Sequence, residues 1–155
     1  MLRILTLALA GTVAVQAAHS VIDFGANSTE VECDTPSAFS NTNAFLRAVQ
    51  AANTSDVDRV VLIPKLPQNQ KLYMMPILLE NLYNVTFQID GEVVASSDHI
   101  NWPNHTDSQM EKHAIYHNSS SKRPLRGSDY GPCISFWEIH DSDGIYFRGS
   151  GSVDG

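Results

Sequence analysis

One amphipathic helix stands near the start of this chain, and only short apolar segments follow it. Ala44, Phe45, Ala48, Val49 and Ala52 recur at helical spacing between Ser40 and Asn53. Ser40 or Asn41 is placed to cap the start by accepting from free backbone amides, and Asn53-Thr54-Ser55-Asp56 ends the segment. Beyond Val57 the apolar stretches have strand length and are separated by turn residues. The usual way to join parallel strands is a crossover helix, and no second helical pattern supplies one. Two architectures remain: a sandwich of packed sheets, or a coil of parallel strands in which each turn stacks on the last. In the coil, the single helix has a physical role. It covers the open end, where exposed strand edges otherwise invite aggregation.

The segments by themselves leave both open. Val60-Val61-Leu62-Ile63 is a continuous apolar run stopped by Pro64, as suits a parallel strand buried on both faces. Val21 to Ala26 predicts a short strand running into a turn at Gly25, and Asn27 to Pro36 a polar loop. Leu66 to Lys71 is a polar linker, and apolar character resumes from Leu72 to Leu79 around Pro76. Asn84 to Ala95 predicts two short strands broken at Asp90-Gly91. His99 to Arg126 carries most of the histidines and little apolar periodicity, which marks a long excursion from the core; such loops are often functional. Order returns with a strand at Cys133, Ile134, Phe136 and Trp137, a turn at His140 to Gly144, and a strand at Ile145 to Phe147. Gly149 and Gly151 mark a bend.

The N-terminus predicts a secretory signal over residues 1–17. Met1-Leu2-Arg3 is a short positive start, Ile4 to Val15 is apolar, and Val15-Gln16-Ala17 offers small residues for cleavage. That run is shorter than the ~20 residues of a membrane span, so residues 18–155 are expected to be secreted, extracellular and off the membrane. Five sequons agree with export: Asn27, Asn53, Asn84, Asn104 and Asn118. The two cysteines, Cys33 and Cys133, are candidates for a disulfide in an oxidising compartment. The chain-entropy model credits a loop of that size with about 4.7 kcal/mol. Pairing with other thiols, or burial unpaired, are the alternatives. The net charge of −7 argues against nucleic acid, which needs a basic footprint.

Several groups invite chemical readings. Asp141 and Asp143, two apart on an extended strand, would sit about 6.5–7 Å apart, close to the ~6.5–9.5 Å of an inverting carboxylate pair. Asp-Ser-Asp-Gly is equally a turn sequence, and that reading is adopted. His113 and His117, with Glu111 nearby, have helical ligand spacing but no third ligand, and are read as solvated loop. His140 beside Asp141 lacks a nucleophile to serve. Asp90 and Asp154, each in an apolar-Asp-Gly string, are read as turn carboxylates. Trp102, Trp137 and Tyr146 could stack on sugar rings; Trp137, beside Phe136 and Ile139, is read as half core and half surface, and Trp102, next to Pro103, is the better sugar-contact candidate. No catalytic, cofactor-binding or metal-binding residue is assigned, and no cofactor is expected.

Blocks spread along the chain resemble the polygalacturonases of glycoside hydrolase family 28. Ile22-Asp23-Phe24-Gly25-Ala26 resembles their opening D-F-G-A. Asn41 to Val49 resembles their capping helix, and Arg59 to Pro64 their V-x-I-P strand. Leu79 to Ala95 resembles their N-V-T-x-x-I-D-G rung, Trp102-Pro103 the W-P after it, and Gly149 to Gly155 their G-x-G-x-I-D-G rung. The chain departs from the family at Lys65-Leu66-Pro67-Gln68, where a glycine is usual. The family's later blocks, which carry its catalytic aspartates and histidine and its substrate-binding arginine and lysine, have no counterpart. The resemblance implies an all-β fold: the N-terminal part of a right-handed parallel β-helix with one capping α-helix. For a complete protein it implies a secreted, monomeric glycosidase that hydrolyses pectic polysaccharide (galacturonan) with inversion. A non-catalytic β-helix, an adhesin or carbohydrate binder, is the alternative. The chain itself, ending before the catalytic coils, is expected to be inactive and poorly stable alone, with Ile145, Phe147 and Val153 on an uncovered coil.

Overall fold

The computed structural model describes residues 18–102 and 135–155. The signal segment at residues 1–17 and most of the histidine-bearing excursion lie outside them. Two short strands and a long helix come first: β1 (His19–Ser20), α1 (Thr35–Thr54) and β2 (Val60–Ile63). Then follow β3 (Leu72–Met74), β4 (Ile77–Glu80), β5 (Thr86–Ile89), β6 (Glu92–Ala95), β7 (Trp137–His140), β8 (Tyr146–Arg148) and β9 (Ser152–Asp154).

These strands form three sheets, ordered β1-β2-β5-β8, β3-β6-β9 and β4-β7. Every ladder between these strands is parallel: Val61 faces Phe87 and Phe87 faces Phe147; Val93 faces Leu72 and Val153; Ile77 faces Trp137. Outside them, an isolated antiparallel bridge joins Thr29 to Lys71. Following the chain from β2, strands enter the first, second and third sheet in turn, and the cycle then repeats. Each pass therefore lays one strand on each of three ladders. The fold is mostly strand in parallel sheets with one helix.

Alternation along the strands sets the interior. Val61, Ile63, Leu72, Met74, Ile77, Leu79, Phe87 and Val93 are essentially buried, while Leu62 and Gln88 face outward and are half-buried. Three phenyl rings mark the axis of stacking. Phe45 of α1 lies 6.0 Å from Phe87, and Phe87 lies 5.2 Å from Phe147, both pairs near-parallel. Trp137 leans against all three, 5.0 Å from Phe45. The helix thus inserts a ring into the lower end of the interior; full burial of such a side chain is worth about 1.5–3 kcal/mol. Exposure rises toward the other end. Phe87 is 1% exposed and its ladder partner Phe147 55%; Val93 is fully buried and Val153 43% exposed.

The helix starts five residues earlier than its periodicity predicts. Asp34 is the N-cap, accepting from Ser37 N at 3.0 Å. Pro36 falls in the first turn, where an amide hydrogen has no intrahelical acceptor to lose. Asn41 is no cap but a buried bracket, donating to Asn27 O and Tyr73 O and accepting from Asn27 N. Thr42, also buried, accepts from Met75 N at 2.9 Å. The first strand is displaced as well. Amides of Asp23, Phe24, Gly25 and Ala26 bond back to Ser20, Val21 and Ile22, so Val21 to Gly25 is a turn anchored by buried Val21 and Ala26. The single stretch Leu72 to Leu79 divides at Met75-Pro76 into β3 and β4. The last turn also moves, since β7 extends through His140.

Candidate functional site

A strip of polar side chains lies on the outer side of the first sheet. Gln88 and Arg148 are register partners on β5 and β8, and the Arg148 guanidinium donates to Gln88 Oε1 at 3.0 Å. The Gln88 amide donates onward to Asp90 Oδ2 at 2.8 Å. Asp90 stands at the corner after β5, where its other oxygen accepts from Ser150 N at 3.2 Å. Tyr146 is two residues from Arg148 on the same strand face and is 62% exposed. The hydrogen bond from Gln88, then those from the Ser150 amide and hydroxyl, and the charge of Arg148 hold the Asp90 carboxyl below its ordinary range. It stays ionised and committed, which suits it to holding a corner and not to transferring protons. The strip offers a phenol ring, a guanidinium steadied by an amide, and hydroxyls, which are groups that bind polar or acidic ligands.

A second cluster ties the segment after β6 to the start of the helix. Glu32 accepts from Ser97 N at 2.6 Å and from its hydroxyl at 3.0 Å. Asp98 accepts from the Thr35 hydroxyl and from Asn101 Nδ2. Burial acts to raise the Asp98 carboxyl, but hydrogen bonds from Thr35 and Asn101 outweigh it and the net direction is down. The Ser97 amide and hydroxyl likewise lower Glu32. No motif announces the Glu32–Ser97 and Thr35–Asp98 pairs, because their members lie far apart in sequence and meet only where the segment after β6 reaches the start of the helix.

Asp141 and Asp143 fall in the corner between β7 and β8. Asp141 has a left-handed backbone, φ 47°. Asp143 donates its amide to Leu82 O and accepts from Asn84 N, so this carboxylate pair belongs to a turn. His140 Nε2 lies 3.5 Å from Glu138 Oε2, and that residue, not Asp141, is its acidic neighbour when protonated. Asp154 is exposed in β9. Trp137 is part of the aromatic stack, and Trp102 donates its indole hydrogen to Ser96 O at 2.8 Å. No group of three or more His, Cys, Asp or Glu placed to hold a metal occurs among the described residues; His113, His117 and Glu111 lie outside them.

Of the sequons, Asn27 is exposed in a loop, Asn53 is in the last turn of α1, and Asn84 sits at a corner with φ 53°. Asn104 and Asn118 lie outside the described residues. So does Cys133, the candidate partner of Cys33. Cys33 is half-buried, and burial pushes its thiol up from the ordinary range, which leaves it protonated and a poor nucleophile. No helix among the described residues is long and apolar enough to cross a membrane. Comparison with protein-family models, curated proteins and solved structures found no match.

Proposed function

We propose that this chain forms the N-terminal coils of a right-handed parallel β-helix, and that it belongs to a secreted, polygalacturonase-like glycosidase acting on pectic polysaccharide. One observation carries the reading: successive strands visit three parallel ladders in a fixed cyclic order. Gly149 and Gly151 lie over Ile89 and Gly91, so one pass of the chain turns its corner directly above another, while Asp154 lies in β9 over Val94. Asn41 to Val49 lies in the helix that closes the lower end.

Among the described residues the role is scaffold and surface, and hydrolysis would need carboxylates from outside them. The alternative, a carbohydrate-binding or adhesive β-helix without catalysis, is favoured by a specific observation: Asp141 and Asp143 are held in a turn, and Asp90 is committed to its corner. The test is an assay of the natural full-length product for reducing-end release from polygalacturonate, with the anomeric configuration of the new end read by proton NMR. An inverted product is expected. Retardation in a polygalacturonate gel without release would favour the binder. Neither release nor retardation would overturn both readings.

A further inference from the structure

Asn53 and Asn27 carry the same acceptor motif, but the fold engages the side chain of Asn53 and the backbone of Asn27. The corner Asn81 to Asn84 is bonded above by the next coil: Asn81 N donates to His140 O, Leu82 N to Ser142 Oγ, Asp143 N to Leu82 O, and Asn84 N to Asp143 O. Below it, among the described residues, no strand lies alongside. Asn53 fills that place, accepting from Tyr83 N at 3.0 Å and donating Nδ2 to Asn81 O at 3.1 Å. Arg59 completes the edge by donating to Tyr83 O at 2.7 Å. One side-chain amide thus stands in for the peptide group of a lower coil, and the corner's backbone groups are satisfied on both edges.

Because Asn53 binds one backbone edge twice, the hydrogen it donates is the one beside its own oxygen. An N-linked sugar is joined through a trans amide, which places the sugar carbon opposite Cβ, on that same side. The sugar and the Asn81 carbonyl compete for one position. At Asn27 the backbone is held, N to Asn41 Oδ1 and O by Asn41 Nδ2, while the residue is exposed. We propose that Asn27 carries an N-linked glycan and that Asn53, despite its sequon, stays bare and acts as the hydrogen-bonding cap of the lower coil edge. The assignment rests on the secretory reading but not on any pectic activity.

The full chain is expressed in a eukaryotic secretory host under its own leader and, in a parallel arm, under a foreign leader. Peptide N-glycosidase in heavy-oxygen water marks each released glycan as a labelled aspartate. Asn27 is expected marked and Asn53 unmarked in the soluble exported protein. Asn53 marked as fully as Asn27, or Asn27 unmarked, overturns the assignment. Export only under the foreign leader would count against the secretory reading alone, and the sites are then judged on that arm. In unglycosylated protein, Asn53→Gln is expected to lower Tm by about 4 °C or more and Asn27→Gln to leave it unchanged. Equal shifts overturn the structural half.

Discussion

At Gly149 the backbone of one coil passes directly over another. A Cβ built there would stand 1.9 Å from Ile89 O, and one at Gly151 would stand 2.0 Å from Gly91 O. Gly149 also has φ 129°, a region that side chains avoid. Backbone cannot move aside as a side chain would, so Gly149→Ala is expected to cost at least about 3 kcal/mol. Gly25→Ala, whose nearest neighbour is the end of the Arg47 side chain at 3.9 Å, should cost less although φ is also positive. Urea midpoints of the two variants measure the difference. The carboxylates give a second expectation. Glu32, Asp90 and Asp98 are all lowered from ordinary values of 4.5, 3.8 and 3.8. Folded pKa values below unfolded ones contribute stability that is complete above the unfolded values and lost as pH falls through the folded ones. Stability should therefore be level above pH ~5 and decline below pH ~4. Asp98→Asn should flatten part of that decline in a series of melts against pH.

The helix is the element on which the lower end depends. Phe45 is fully buried and stacks on Phe87, so Phe45→Ala should cost about 3–5 kcal/mol, read from chemical denaturation. Asp34→Ala should cost about 1 kcal/mol and Ser40→Ala only a few tenths, since the cap is Asp34 and Ser40 is exposed within the helix. These elements also show how far the sequence could be read. The apolar stripe of α1, the run Val60 to Ile63 and the break at Asp90-Gly91 were legible because periodicity and turn chemistry are local. The true helix start was not, because Pro36 reads as a breaker and is harmless only in the first turn. The split of Leu72 to Leu79 was also hidden, since both halves face the interior. The Gln88, Asp90 and Arg148 strip and the Glu32–Ser97 pair could not be foreseen. The first depends on which residues the register places one above the other, and the second on how the loop before α1 meets the segment after β6.

At the scale of the whole molecule, the coils are held by stacking, and the ends decide how the stack behaves. The lower end is closed by Phe45, Asn53 and Arg59. At the other, Tyr146, Phe147 and Val153 are 62%, 55% and 43% exposed. The chain of 155 residues is therefore expected to self-associate as its concentration rises. Sedimentation velocity should show a rising mean mass, and a single monomer boundary throughout would contradict this. The stacking itself is the central claim, and paired cysteines test it most directly. In a background with Cys33 and Cys133 replaced by serine, cysteines are placed at alternate positions of β2 and β5. In parallel register Val60 faces Thr86 and Leu62 faces Gln88, so the 60/86 and 62/88 pairs should form disulfides rapidly on mild oxidation. The crossed pairs 60/88 and 62/86 should not, because their Cα atoms lie outside the ~4.4–6.8 Å a disulfide spans. Mass spectrometry of the oxidised full chain decides. Rapid closure of the crossed pairs, with the matched pairs left open, would mean antiparallel strands and would contradict the stacked coil.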